Sequence, residues 1–157
     1  MTKIRLVMFM TLLLIISACE STQAEHIEKV VMYENEKAGI QILESSNWML
    51  DSEVSTEPFN VTFKQDEIRA IVSIIPNIKS LEEIKKELDL TSDYVQIIEE
   101  TPERLSFRME QTEHTRSDIY VQQTGEETLV LAFFTPDHDY LANYEKIEEF
   151  RKNITLY

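Results

Sequence analysis

Val61-Thr62-Phe63-Lys64-Gln65-Asp66-Glu67-Ile68-Arg69-Ala70-Ile71-Val72-Ser73-Ile74-Ile75-Pro76 alternates apolar and polar residues in two arms around a polar centre. Val61 and Phe63 share one side of the first arm, and Ile68, Ala70, Val72 and Ile74 share one side of the second. A side-chain period of two marks a half-buried strand, and Gln65-Asp66-Glu67 turns the chain, so the stretch predicts a β-hairpin. The second arm is long and apolar enough to lie centrally in a sheet. Pro76 stops it, because proline has no amide to give to a ladder.

Downstream the pattern changes period. Ser80-Leu81-Glu82-Glu83 reads as a capping box, and Leu81, Ile84 and Leu88 follow at helical spacing, predicting an amphipathic helix over about Leu81 to Asp89. Strands return after it. Tyr94 to Ile98 is a short one, ended by Thr101-Pro102, and Leu105, Phe107 and Met109 alternate with Ser106, Arg108 and Glu110, which predicts one buried and one wet face. A polar turn over Gln111 to Arg116, a strand from Asp118 to Gln122, a tight turn at Thr124-Gly125-Glu126 and an apolar strand from Thr128 to Phe134 complete the series. Pro136 ends that strand, Asp137 is placed to cap, and Leu141, Tyr144, Ile147 and Phe150 mark a helix from about His138 to Lys152.

Upstream, Val30-Val31-Met32-Tyr33 reads as a strand, Glu34 to Ala38 as a polar turn, and Gly39-Ile40-Gln41-Ile42-Leu43 as a second strand whose glycine frees the backbone at the turn. Ser45-Ser46-Asn47 breaks it before Trp48, and Asp51 to Pro58 reads as an acidic loop. Residues 30–157 therefore form one α+β domain, a central antiparallel sheet with helices packed on its faces. Glu20 to Lys29 is polar and aperiodic, so 19–29 is expected to be an acidic flexible tether.

The chain opens with Lys3 and Arg5, an apolar run from Leu6 to Ile16, and Ser17-Ala18 before Cys19. This is the grammar of a secretory signal. The run is too short for a permanent span, since a hydrocarbon core about 30 Å thick needs roughly 20 apolar residues of helix. Ile16-Ser17-Ala18-Cys19 resembles the box that closes bacterial lipoprotein signals. The resemblance implies removal of residues 1–18, a diacylglycerol thioether on Cys19, and attachment to the extracytoplasmic face of the cell membrane. An ordinary signal peptide or an uncleaved anchor would leave the position of the chain's only cysteine without a reason. A single cysteine also excludes an internal disulfide framework and a cysteine-rich metal site.

Composition narrows the partners. Without residues 1–18 about 139 residues remain, enough for a real core, and 13 basic against 29 acidic residues give a net charge of −16. Such a surface repels phosphate backbones and anionic headgroups, so nucleic acid is not expected as a partner, and anchoring falls to the lipid.

Tyr33 to Ile42, with its glycine turn, followed by Asn47-Trp48, resembles the opening of PsbP-like domains. The end is similar too, with an apolar strand, Pro136, and a helix carrying Tyr140, Tyr144 and Phe150 that leads to Ile154. The resemblance covers about Val30 to Tyr157 and implies a PsbP-like α/β/α sandwich, a fold used mostly by binding and assembly modules.

Asp137-His138-Asp139 groups metal-capable side chains, but adjacent residues at a helix start point apart, and capping by Asp137 is the simpler expectation. Glu110, Glu113 and His114 flank a solvated turn, and His26 falls in the tether. No Gly-x-Ser-x-Gly elbow exists, and two glycines cannot build a phosphate-cradling loop. Trp48, Tyr33, Tyr140 and Tyr144 could line a groove, although aromatics at these spacings commonly fill a core. The sequence thus predicts no catalysis, cofactor or metal. It points to a lipid-anchored envelope accessory protein that binds or assembles another protein. An envelope hydrolase with an acid or histidine pair near His114 or His138, and a carrier of a small apolar ligand between sheet and helix, are the alternatives.

Overall fold

The computed structural model describes residues 30–54, 58–110 and 114–157. The expected leader, Cys19 and the tether lie outside the described residues. Seven strands form one antiparallel sheet in the order β3 (Met49–Val54), β4 (Phe59–Gln65), β5 (Ile68–Pro76), β9 (Glu127–Pro136), β8 (Thr115–Thr124), β7 (Arg104–Met109) and β6 (Val95–Glu100). A second antiparallel sheet pairs β2 (Ile40–Leu43) with β1 (Val31–Asn35) on one side and β10 (Ile154–Leu156) on the other. The helices are α1 (Leu81–Glu87) and α2 (Tyr140–Lys152), the latter entered through a 3-10 turn at Asp137–Asp139.

The hairpin forms as its alternation requires. Gln65 faces Ile68 across the turn, Asp66 takes up a left-handed φ of 52°, and β5 is central, flanked by β4 and β9. Its apolar side joins a core cluster with Leu129, Leu131 and Phe133 of β9, covered by Ile147 and Phe150 of α2 and by Ile40 and Ile42 of the small sheet. The opposite face carries a second cluster, in which Leu81, Ile84 and Leu90 cover Leu105, Phe107, Ile119, Val121 and Val130. A helix on each face of an antiparallel sheet is the expected α+β sandwich.

Four local expectations change. Met49–Val54, read as the end of the tryptophan segment and the start of a loop, is strand β3; all six residues are exposed, because an edge strand wet on both faces shows no alternation. Helix α1 stops at Glu87, leaving Leu88 exposed. Asp89, with φ of 55°, then turns the chain, and the amides of Asp89 and Leu90 bond back to Lys86 and Lys85 in a Schellman close that buries Leu90 instead. In α2 the stripe is shifted by one residue at its start, with Tyr140 buried and Leu141 87% exposed. Asp137 caps nothing; its carboxylate accepts from Arg108. The capping box at Ser80 is present in both directions.

Gly39 sits in the turn between β1 and β2 with φ of +59°, and a Cβ there would lie 2.7 Å from the Tyr157 carbonyl oxygen. Only glycine admits both the backbone angle and this approach, and the Tyr157 amide bonds to the Gly39 carbonyl at 2.9 Å, fastening β10 to the turn.

Candidate functional site

The inner face of the large sheet changes character along each row of paired residues. One row runs Phe63, Ala70, Phe133, Asp118, Ser106, and the next runs Val61, Val72, Leu131, Tyr120, Arg104. From β4 to β9 these positions are apolar and lie in the core. At β8 and β7 they turn polar, on the same face, and Arg108 pairs with Arg116 in the row beyond. The expected wet face of β7 is thus not wet throughout. Ser106 and Asp118 are fully buried.

Asp118 is the centre of this polar patch. Its Oδ1 accepts from Arg104 Nη2 at 3.0 Å, from the Ser106 hydroxyl, and from Arg116 Nη2 at 3.4 Å. Arg116 Nε lies 3.4 Å from Asp118 Oδ2, an ion pair without hydrogen-bond alignment, since neither atom has a hydrogen-bond partner among the described residues. Two guanidiniums therefore share one buried carboxylate. Arg104 also donates to the Tyr140 hydroxyl at 2.8 Å and approaches Glu99 at 3.3 Å.

Tyrosine rings separate the cations. The Arg116 guanidinium stacks 3.6 Å from the Tyr140 ring centre, while Tyr120 has Arg151 at 3.5 Å and Arg104 at 5.4 Å. Arg151 also pairs with Glu148 at 2.6 Å. The result is a row in the order Arg151, Tyr120, Arg104, Tyr140, Arg116, held by stacking between the flank of α2 and β7. Each such contact contributes about 0.5–2 kcal/mol depending on desolvation. Burial is the largest influence on Tyr140 and, with the Asp118 carboxylate, pushes its pKa up to about 12. Burial likewise raises Tyr120. For Arg104 burial alone would lower the pKa, but the Asp118 hydrogen bond and the surrounding groups reverse this and leave it raised.

One open groove takes in Tyr120 and Arg151 at one end of the row, and another lies beside Arg108, the strand partner of Arg116. The first, about 540 Å³, is lined by Pro102, Glu103, Tyr120, Leu129, Leu131 and Arg151 among others. The second, about 490 Å³, is lined by Gln96, Arg108, Met109, Glu110 and Asp137. On the outer side of the row, Leu141, Tyr144 and Glu148 share a flank of α2 by their spacing, and Tyr144 packs against Tyr140 with ring centres 5.9 Å apart.

Of the residues singled out in the sequence, Tyr140 belongs to the row and Tyr144 packs beside it, while the others fall elsewhere or take other parts. His138 is 71% exposed with its Nε2 3.2 Å from Asp139 Oδ2, and Asp139 stands at the N-cap of α2 without a side-chain cap bond. The His114 carbonyl accepts the Asp137 amide at 2.7 Å, Glu110 lines the second groove, and Glu113, His26 and Cys19 lie outside the described residues. No group of three His, Cys, Asp or Glu side chains able to hold a metal occurs among the described residues. Tyr33, Trp48 and Tyr140 are buried, and Tyr144 is partly exposed. The arginine–tyrosine row was missed. Its signal was present as Arg104-x-Ser106-x-Arg108 and Arg116-x-Asp118-x-Tyr120, two period-two polar patterns on strands that pair.

No protein-family profile matches the chain, and no curated protein matches its sequence. Solved structures do match in shape. Cyanobacterial PsbP (CyanoP) from Synechocystis superposes with a TM-score of 0.56 at 14% identity, over 88% of this chain and 99% of that one. A crystal structure from Bacteroides thetaiotaomicron gives 0.51 at 14% identity, over 82% of this chain and 49% of that one. The Saccharomyces cerevisiae Ran-binding protein Mog1p gives 0.50 at 9% identity, over 82% and 96%. At these identities the likeness concerns architecture alone, and the architecture is that of the PsbP and Mog1p structures.

Proposed function

We propose that this protein is a lipid-anchored accessory of the bacterial cell envelope, held by Cys19 at the extracytoplasmic face of the membrane, where it binds or assembles another protein and catalyses nothing. One observation carries the reading: the basic, apolar and small-residue series from Lys3 to Ala18 ends on the chain's only cysteine, immediately before an acidic tether and a single domain. Two acyl chains supply stable anchoring, at about 0.8 kcal/mol per buried methylene, without a polybasic patch. No described helix is long and apolar enough to cross a membrane; the assignment of attachment to the lipid rests on Ile16-Ser17-Ala18-Cys19. The arginine–tyrosine row supports binding over hydrolysis, because its one buried acid, Asp118, is engaged by two arginines and a serine rather than offered to a substrate.

The test is Cys19→Ser. The wild-type protein should partition into the detergent phase and the variant into the aqueous phase, and cross-linking in intact cells should join the wild type to a neighbouring envelope protein. A variant that partitions like the wild type would remove the lipoprotein reading.

A carrier role has one observation in its favour. The groove beside Arg151, floored by Leu129 and Leu131, falls within the roughly 300–1,000 Å³ range of small-molecule sites. Saturable binding of an amphiphile, weakened by Arg151→Gln, would support it.

A further inference from the structure

We infer that the outer edge of β6 accepts a strand of a partner protein in which lysine or arginine alternates with aliphatic residues. The inference deepens the proposed binding role and rests on it. β6 ends the large sheet, with β7 on one flank and no strand on the other among the described residues. The Glu110 amide donates to the Tyr94 carbonyl at 3.0 Å. Bonded and open pairs alternate along an antiparallel ladder, and this one keeps its register as far as Ile97. Counting from Tyr94, the main chain of Gln96 therefore turns toward β7, and that of Val95 and Ile97 turns outward. The Val95 amide donates to the Ser92 carbonyl at 3.1 Å, which leaves the Val95 carbonyl and both main-chain groups of Ile97 for an added strand. The edge is accessible: five of the six β6 residues are exposed, with Ile97 at 40%, Ile98 at 36% and the preceding Tyr94 at 60%.

The two faces of this edge differ. Val95 and Ile97 stand opposite Met109 and Phe107 on the face that α1 covers, and Val95 packs against the apolar cluster there. Gln96 and Glu99 stand opposite Arg108 and Ser106 on the other face. An added strand meets aliphatic neighbours on one side and polar or acidic ones on the other, and side chains with a period of two answer both.

Charge selects the partner. Asp93 to Glu100 contains three acids and no base, and Glu110 adds a fourth beside Tyr94. Glu99 and Glu100 pair with Arg104 and Lys85. Asp93 and Glu110 are exposed, and their carboxylates have no ion-pair or hydrogen-bond partner among the described residues, so cationic side chains find unmatched negative charge here. A second copy of the chain would bring the same acids to the same edge together with a net charge of −14, which opposes self-pairing. The opposite edge of the sheet, β3, offers less to a cation, because Asp51 already pairs with Lys64 at 2.8 Å and Glu53 accepts from Asn35 at 3.2 Å.

The experiment uses the full-length protein in nonionic detergent and a short fluorescein-labelled peptide of alternating lysine and valine, followed by fluorescence anisotropy against detergent alone. Saturable binding is expected, weakened by salt. It should be absent for a peptide with glutamate in place of lysine, and for the lysine–valine peptide N-methylated along both edges, which keeps its charge but cannot complete a ladder. In the bound state the Ile97 amide should exchange its hydrogen more slowly, read by NMR. Ile97→Pro, at an amide that gives nothing to β7, keeps the fold and should weaken binding about tenfold, the equivalent of about 1.4 kcal/mol. Asp93→Asn combined with Glu110→Gln, at two exposed positions, should weaken it severalfold and flatten its salt dependence. Equal binding of the glutamate or N-methylated peptide, unchanged binding by both variants, or an Ile97 amide whose exchange does not slow at saturation would each overturn the inference. If the peptide fails while the wild-type protein still cross-links to an envelope partner, only this edge is wrong; loss of the cross-link as well removes the binding role itself.

Discussion

Phe150 and Leu141 show how much a single position on one helix can differ. Phe150 is fully buried, with ring centres 4.5 Å from Trp48, 5.3 Å from Phe63 and 6.0 Å from Phe133. Phe150→Ala should cost about 3–5 kcal/mol through lost transfer energy and the cavity left behind, whereas Leu141→Ala should stay within about 0.5 kcal/mol, both read from urea unfolding. Asp118 is a different kind of core residue. Asp118→Ala would leave two guanidiniums without their buried carboxylate and should cost about 3–5 kcal/mol. Tyr140 and Tyr120 make stability depend on alkaline pH. A tyrosine in the unfolded chain ionises near 10, while folded Tyr140 holds its proton to about 12. Between those values the native state binds more protons than the unfolded state, so stability falls as pH rises through the window and is unaffected below it. Urea midpoints across this range should decline, and Tyr140→Phe should flatten the decline; a flat wild-type profile would show that these hydroxyls are not shielded.

At the level of elements, local chemistry predicts most where it is closed over a few residues. Ser80 and Glu83 satisfy each other's neighbouring amides at the start of α1, so Ser80→Ala should lower stability by about 1 kcal/mol in thermal unfolding. That cap was legible because it depends on residues three apart. The hairpin of β4 and β5 was legible because one wet and one dry face write a period of two. Strand β3 was not, since exposure of all six residues removes the contrast on which periodicity depends. The close of α1 was misread for another reason: Asp89 adopts a left-handed backbone without being glycine, so Leu90 rather than Leu88 meets the core. The candidate site lay hidden in the rule that polar residues on alternating strands face water. Ser106 and Asp118 obey the alternation and break the rule, because Arg104 and Arg116 come from paired strands to neutralise and cover them. Each half of that arrangement is visible in the sequence, but the pairing of β7 with β8 that joins them is a long-range fact.

The whole molecule is organised by one sheet that belongs to two cores at once. Tyr120 of β8 lies in the cluster under α2, while its neighbours Ile119 and Val121 lie in the cluster under α1, and β9 divides Leu131 and Val130 in the same way. Losing either cluster strips one face from strands that the other needs, so the two faces cannot unfold separately without exposing shared ladders. Every residue assigned to the two clusters lies at Met32 or later, and Val30 is largely exposed. A chain beginning at Val30 should therefore fold alone and unfold in one step. The chain's one tryptophan, Trp48, sits against Phe133 and Phe150 and reports the α2 face, whereas far-ultraviolet circular dichroism reports the strands and both helices. In urea the two signals should trace coincident transitions with a common midpoint. An earlier Trp48 transition would mean that the α2 face melts while the α1 face persists, and the sheet would then be two stacked units rather than one shared layer.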